Sequence, residues 1–180
     1  MAHNKIKEEN LMTQTEGLLS TGIPSIEELV SCKGIPGAER IAKGRVAVIE
    51  CIQPIPCNPC VKACPFGAIS INGDITEPPV LDGERCTGCG NCVPRCPGLA
   101  IFLVDLNYSE TEATVDFPYE YLPLPQKDAE VEAVDRSGRI VCPGRVLQVL
   151  SPPSYEGTTV IRLAIPKEFA GIVRSMRHIS

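Results

Sequence analysis

Eight cysteines in two runs carry the chemistry open to this sequence. The later run is Cys86-x2-Cys89-x2-Cys92-x3-Cys96, closed by Pro97. The earlier run is Cys51-x5-Cys57-x2-Cys60-x3-Cys64, closed by Pro65. Three thiolates on a tight loop can wrap one cubane iron–sulfur cluster, whereas a fourth cysteine followed by proline sits too far round and serves a second cluster. Crossing the fourth ligands gives two complete sets. Cluster 1 would use Cys51, Cys57, Cys60 and Cys96, and cluster 2 would use Cys86, Cys89, Cys92 and Cys64. With four thiolates per cluster no iron is left open, so electron transfer without substrate chemistry is the expected outcome.

Other uses of these cysteines fit the pattern less well. Structural zinc takes Cys-x2-Cys pairs, but as two separated pairs rather than a triplet plus Cys-Pro. Disulfides belong to secreted chains, and the first residues show no apolar stretch of a signal peptide. A reducing, cytoplasmic setting is therefore the expectation. Cys32 and Cys142 have no cysteine partner at ligand spacing and read as ordinary free thiols. Gly67, Gly88 and Gly90 allow close backbone approach, so that amide N–H groups can reach the sulfurs. Ile55, Val61, Ile69, Val93, Leu99 and Ile101 are candidates for a dry shell.

The two runs are copies. Cys57, Cys60 and Cys64 precede Cys89, Cys92 and Cys96 at one constant interval, and the segment Cys64-Pro-Phe-Gly-Ala-Ile69 answers Cys96-Pro-Gly-Leu-Ala-Ile101. The repeat predicts a pseudo-twofold cluster domain. The longer x5 step of the first copy carries Pro54 and Pro56, which suit a rigid loop.

The elements that must position these cysteines can be read around them. Ser25 and Glu28 fit a capping box opening a short helix over 25–31. Arg45–Cys51 is β-branched and reads as a strand that delivers the first ligand. Ile69–Asn72 and Ile75–Val80 flank Gly73-Asp74 as a hairpin. Strands are expected at 101–105 and 112–119, and Leu122-Pro-Leu-Pro125 marks a boundary. Beyond it, 130–134 and 140–150 flank a turn at 135–138, and 158–165 is β-rich. Phe169, Ile172, Val173 and Met176 then predict a helix over 167–177, with Lys167, Arg174 and Arg177 on a solvated face.

The fold class is thus α+β. A dicluster core over 45–107 follows an N-terminal arm over 1–44, loose over 1–22 and with a short helix. A Pro-rich connector over 108–127 leads to a small β-rich C-terminal appendage over 128–180, ending in the helix. The chain of 180 residues has a net charge of -5, no Trp and few other aromatics, so a large core is not expected. It has no basic stripe for nucleic acid. Its apolar runs are too short to span a membrane. Neither a dinucleotide glycine motif nor a phosphate loop is present, and no catalytic residues are assigned. His3 and His178 lie near the ends and carry no assignment.

At the eight ligands, residues 45–105 resemble the two-cluster bacterial-type ferredoxins. A longer resemblance rests on Glu50-Cys-Ile-Gln-Pro-Ile-Pro-Cys-Asn-Pro-Cys60, Cys96-Pro-Gly-Leu-Ala-Ile-Phe102, Pro118-Tyr-Glu-Tyr-Leu-Pro-Leu-Pro125, Gly144-Arg-Val146 and Ile165-Pro-Lys-Glu168. These segments are similar to the small iron–sulfur subunits of multi-subunit FAD-dependent amine or amino-acid dehydrogenases. That group includes opine oxidase, hydrogen cyanide synthase and heteromeric proline or hydroxyproline dehydrogenase. The resemblance implies two 4Fe-4S clusters here and FAD or FMN on partner subunits. It also implies a relay of electrons between flavins or to an external acceptor, and leaves room for a further iron–sulfur subunit. The alternative is a free-standing dicluster ferredoxin that serves unrelated oxidoreductases.

Overall fold

A computed structural model describes residues 16–179. The expected loose arm over 1–22 lies mostly outside the described residues. The chain divides after Ser31 into two compact units. The first contains helices α1 (Leu18–Thr21) and α2 (Ile26–Val30). Ser25 caps α2, and Glu28 reaches back to the Ser25 N–H at 2.7 Å, closing the capping box. The Glu28 carboxylate also accepts from the Leu18 N–H at 3.0 Å, so one side chain ties both helices together.

The second unit is built on one antiparallel sheet of seven strands, in the order β1-β4-β5-β8-β7-β6-β9. These are β1 (Val46–Ile49), β4 (Ile101–Asp105), β5 (Glu112–Tyr119), β6 (Glu130–Val134), β7 (Ile140–Leu150), β8 (Thr159–Pro166) and β9 (Ser175–Met176). A separate pair, β2 (Ile69–Ser70) and β3 (Val80–Leu81), lies between the cysteine runs. Helix α3 (Ala38–Ala42) precedes β1, and α4 (Pro59–Ala63) sits inside the first run.

β1 and β4 read as unbroken apolar runs because both of their faces are covered. Ala47, Ile49, Ile101 and Leu103 pack with Cys60 and Cys92, while Val48, Phe102 and Val104 pack into the larger core of β5, β7 and β8. Side chains alternate between faces along a strand. β1 therefore presents one set of side chains to the cysteine loops and the other to the main core. The residues expected to form a connector contain β5, a central strand that pairs with β8 along its whole length. The strands beyond residue 128 belong to the same sheet as β1.

Two expectations change. The expected C-terminal helix over 167–177 is instead a 3-10 turn, Lys167–Phe169, followed by β9. Its backbone turns to β6, where the N–H groups of Arg174 and Arg177 donate to the carbonyls of Val134 and Glu132. Pairing with an open strand edge supplies partners that a short helix interrupted by Gly171 would have to find within itself. The expected hairpin strand over 75–80 is also displaced. Asp74 accepts from the N–H and hydroxyl of Thr76, forming an Asx turn, and β3 starts only at Val80.

Candidate metal centre

Each cysteine run follows the same local course. In the first, α4 begins with Pro59 and ends at Cys64, whose N–H donates to the Val61 carbonyl at 3.3 Å. In the second, a 3-10 turn over Val93–Arg95 ends at Cys96, whose N–H donates to the Val93 carbonyl at 3.4 Å. The next bond repeats too: Gly67 N–H to the Cys64 carbonyl, and Leu99 N–H to the Cys96 carbonyl. This turn needs a left-handed residue, with φ 58 at Gly67 and φ 53 at Leu99. The turn aims the following amide at sulfur. Ala68 N–H lies 3.2 Å from Cys64 Sγ, and Ala100 N–H lies 3.4 Å from Cys96 Sγ. An N–H aimed at a ligand sulfur is the kind of contact that tunes the potential of a bound iron–sulfur cluster.

The last cysteine of each run lies near cysteines of the other run. Burial, then the adjacent sulfurs of Cys96 and Cys57, pushes the Cys51 thiol up to about 11. Cys60 is likewise pushed up to about 11, by burial and then by Cys96, Cys57 and Cys51. Cys92 is pushed up to about 12 by burial and then by Cys86, Cys89 and Cys64. Cys96 thus stands among cysteines of the first run, and Cys64 among cysteines of the second. Cys64, Cys86, Cys89 and Cys92 line one recess with Phe66, Gly88, Gly90 and Leu103. Cys60 and Cys92 are buried, Cys89 is exposed, and the others are partly covered.

Cys64, Cys86, Cys89 and Cys92 around one recess, with N–H donors on Cys64 and Cys96, supply the soft sulfur donors that a 4Fe-4S cluster takes.

Of the expected shell, Ile69, Val93 and Ile101 are buried against the cysteines and Val61 packs beside them. Ile55 is 46% exposed and does not belong to it. Gly88 lets the second loop lie on β1's leading residue, because a Cβ there would stand 2.5 Å from the Arg45 carbonyl oxygen. Cys32 also approaches this region. Its thiol donates to the Ile49 carbonyl at 3.2 Å, and burial pushes its pKa up. Cys142 is buried, with its thiol pushed up by burial and by Glu168.

The charged side chains around the ligands were not legible in the sequence. Arg40 donates to the carbonyls of Gly83, Gly44, Arg45 and Cys86, the last at 2.7 Å, and so pins the second loop to the start of β1. Asp116, 1% exposed, pairs with both Arg45 and Arg162. Arg174, expected on a solvated face, is instead buried: its Nε lies 2.7 Å from Glu50 Oε1 and its guanidinium stands 5.1 Å from the Phe102 ring centre. A cation at a β-to-turn junction leaves no periodic mark, and only the long-range partner reveals it.

The family described as the 4Fe-4S dicluster domain matches residues 50–100. An uncharacterized ferredoxin of Methanocaldococcus jannaschii is 40% identical over 74 residues, covering 40% of this chain and 45% of that protein. A ferredoxin of Saccharopolyspora erythraea is 35% identical over 81 residues, covering 43% of this chain and 73% of that protein. The polyferredoxin-like subunit of an aliphatic sulfonate oxidoreductase from Pyrococcus furiosus is 46% identical over 48 residues, 27% of each chain. The chain spans less than half the length of the first of these relatives. No solved structure matches it.

Proposed function

This chain belongs to the ferredoxins and carries a 4Fe-4S dicluster domain, and from that premise we propose that it is the electron-transfer subunit of a multi-subunit FAD-dependent amine or amino-acid dehydrogenase. Cys51, Cys57, Cys60 and Cys96 would hold one 4Fe-4S cluster, and Cys86, Cys89, Cys92 and Cys64 the other. When bound, each cluster supplies one-electron chemistry and links two-electron flavins to a further acceptor. The observation that supports this reading is the placement of Cys64 in one recess with Cys86, Cys89 and Cys92, with both cysteine runs packed against one shared apolar core.

The chain's own residues prepare that role. Ala68 and Ala100 aim N–H groups at two of the sulfurs. Ile69, Val93 and Ile101 keep water from the inner side. Cys89 is exposed, so the second site opens to the surface, where a donor or acceptor can approach. FAD or FMN would sit on partner subunits. The strands beyond the cluster region extend the sheet past what ligation requires and offer surface for such partners. The exposed side chains of Tyr121 and Leu122 lie on that added portion.

A free-standing dicluster ferredoxin is the second reading, favoured by the two relatives that are themselves ferredoxins. Anaerobic isolation of the endogenous protein separates the two. The dehydrogenase reading predicts about eight iron and eight sulfide per chain and co-purification with a FAD-containing subunit. A stable, iron-loaded chain free of any flavoprotein would contradict it.

A further inference from the structure

Glu50 immediately precedes Cys51, and its carboxylate is almost wholly enclosed. Two guanidinium groups from distant parts of the chain converge on it. Arg136, from the turn between β6 and β7, donates through Nε at 2.6 Å and also through its terminal nitrogen. Arg174, 6% exposed, donates through Nε at 2.7 Å. The remaining nitrogens of Arg174 are taken by the carbonyls of Ala170, Val173 and Gly171. Two guanidinium cations thus pair with one carboxylate, a trio with a surplus of positive charge.

The backbone of Glu50 joins the same arrangement to the far ligand. Its N–H donates to the Ala100 carbonyl at 2.8 Å, and the Ala100 N–H lies 3.4 Å from Cys96 Sγ. One residue thus links Cys51 and Cys96, the ligands at the two ends of the first group. A surplus positive charge in a poorly solvated place acts over longer range than it would in water. It favours the state of the site that holds the extra electron.

We propose that Glu50, Arg136 and Arg174 are positioning residues for the Cys51/Cys57/Cys60/Cys96 cluster and that their net positive charge raises its reduction potential. The inference rests on the ligand assignment above.

The test is a dithionite potentiometric titration of the full-length, anaerobically loaded protein, followed by electron paramagnetic resonance, with iron counted first. Arg136→Gln removes a cation, and Glu50→Gln removes the anion. Arg136→Gln should lower one of the two one-electron waves by about tenfold in the ratio of reduced to oxidised cluster, ~59 mV for one electron. Glu50→Gln should raise the same wave, and Arg174→Lys should leave it near the parent value. Opposite shifts from two changes that each remove one charge, of opposite sign, are not produced by loosened packing alone. Arg136 is the more exposed arginine of the pair, so its variant keeps the test open if Glu50→Gln does not fold. Equal movement of both waves, movement of neither, or a shift of the same sign in both variants would overturn the proposal. A folded chain that loads no iron would overturn the ligand assignment and this proposal with it, and the iron count separates that failure from the others.

Discussion

At the residue scale, the cysteines were legible because ligand spacing is a local property, written in adjacent positions. The charged supports Arg40, Asp116 and Arg174 were not, because each depends on contact with a remote strand or loop. Gly88 shows the difference. Its φ of 68 marks a left-handed turn, but the need for glycine comes equally from the Arg45 carbonyl it lies against. Gly88→Ala should destabilise the loaded protein by roughly 1–3 kcal/mol from strain alone, more with the clash, and should weaken retention of the second cluster. Thermal unfolding together with iron content checks this; an unchanged melting temperature would contradict the contact. Cys142 supplies a pH-dependent case. Burial, and then Glu168, push the Cys142 thiol above its ordinary value, which leaves less thiolate at any given pH, and the thiolate is the reactive form. Iodoacetamide should therefore modify Cys142 in the folded, loaded protein more slowly at pH 8 than a free model thiol. The rate should climb with pH later than that of the free model thiol.

At the element scale, β1 is the piece on which the site hangs. It leads into Cys51, packs Ala47 and Ile49 against the cysteine loops, and turns Val48 to the main core. Buried charge brackets it, with Arg45 on Asp116 at one end and Glu50 between Arg136 and Arg174 at the other. The strands at 101–105, 112–119, 130–134 and 140–150 were readable because β-branched runs bounded by turns leave a clear pattern. The end of the chain was misread because Phe169, Ile172, Val173 and Met176 happen to fall at helical spacing. The unpaired edge of β6 captured that backbone instead. Asp116 joins β1 to the centre of the sheet, since Arg162 lies on β8. Asp116→Ala leaves two guanidinium groups facing a buried site without their counter-charge. The expected cost is about 3–5 kcal/mol, read by denaturant unfolding. A loss below about 1 kcal/mol would mean that the pair behaves as an ordinary surface bridge.

At the scale of the whole molecule, the dicluster region and the later strands form parts of one sheet. The Pro-rich stretch at 122–125 looked like a boundary because proline interrupts pairing. Yet β5 before it and β6 after it both join the sheet, on either side of β8 and β7. Strand order is a long-range property, and β8 inserting beside β5 has no local signature. This continuity lets Arg136 and Arg174, far along the chain, reach the residue beside the first ligand.

The exchange of fourth ligands is the central claim, and iron content in paired cysteine variants tests it most directly. Cys96→Ala combined with Cys57→Ala removes two ligands from one proposed cluster, whereas Cys96→Ala combined with Cys89→Ala removes one from each. The first pair should retain about half of the parent's iron, and the second should retain little. The reverse order, with Cys96 and Cys89 losing only one cluster between them, would contradict it.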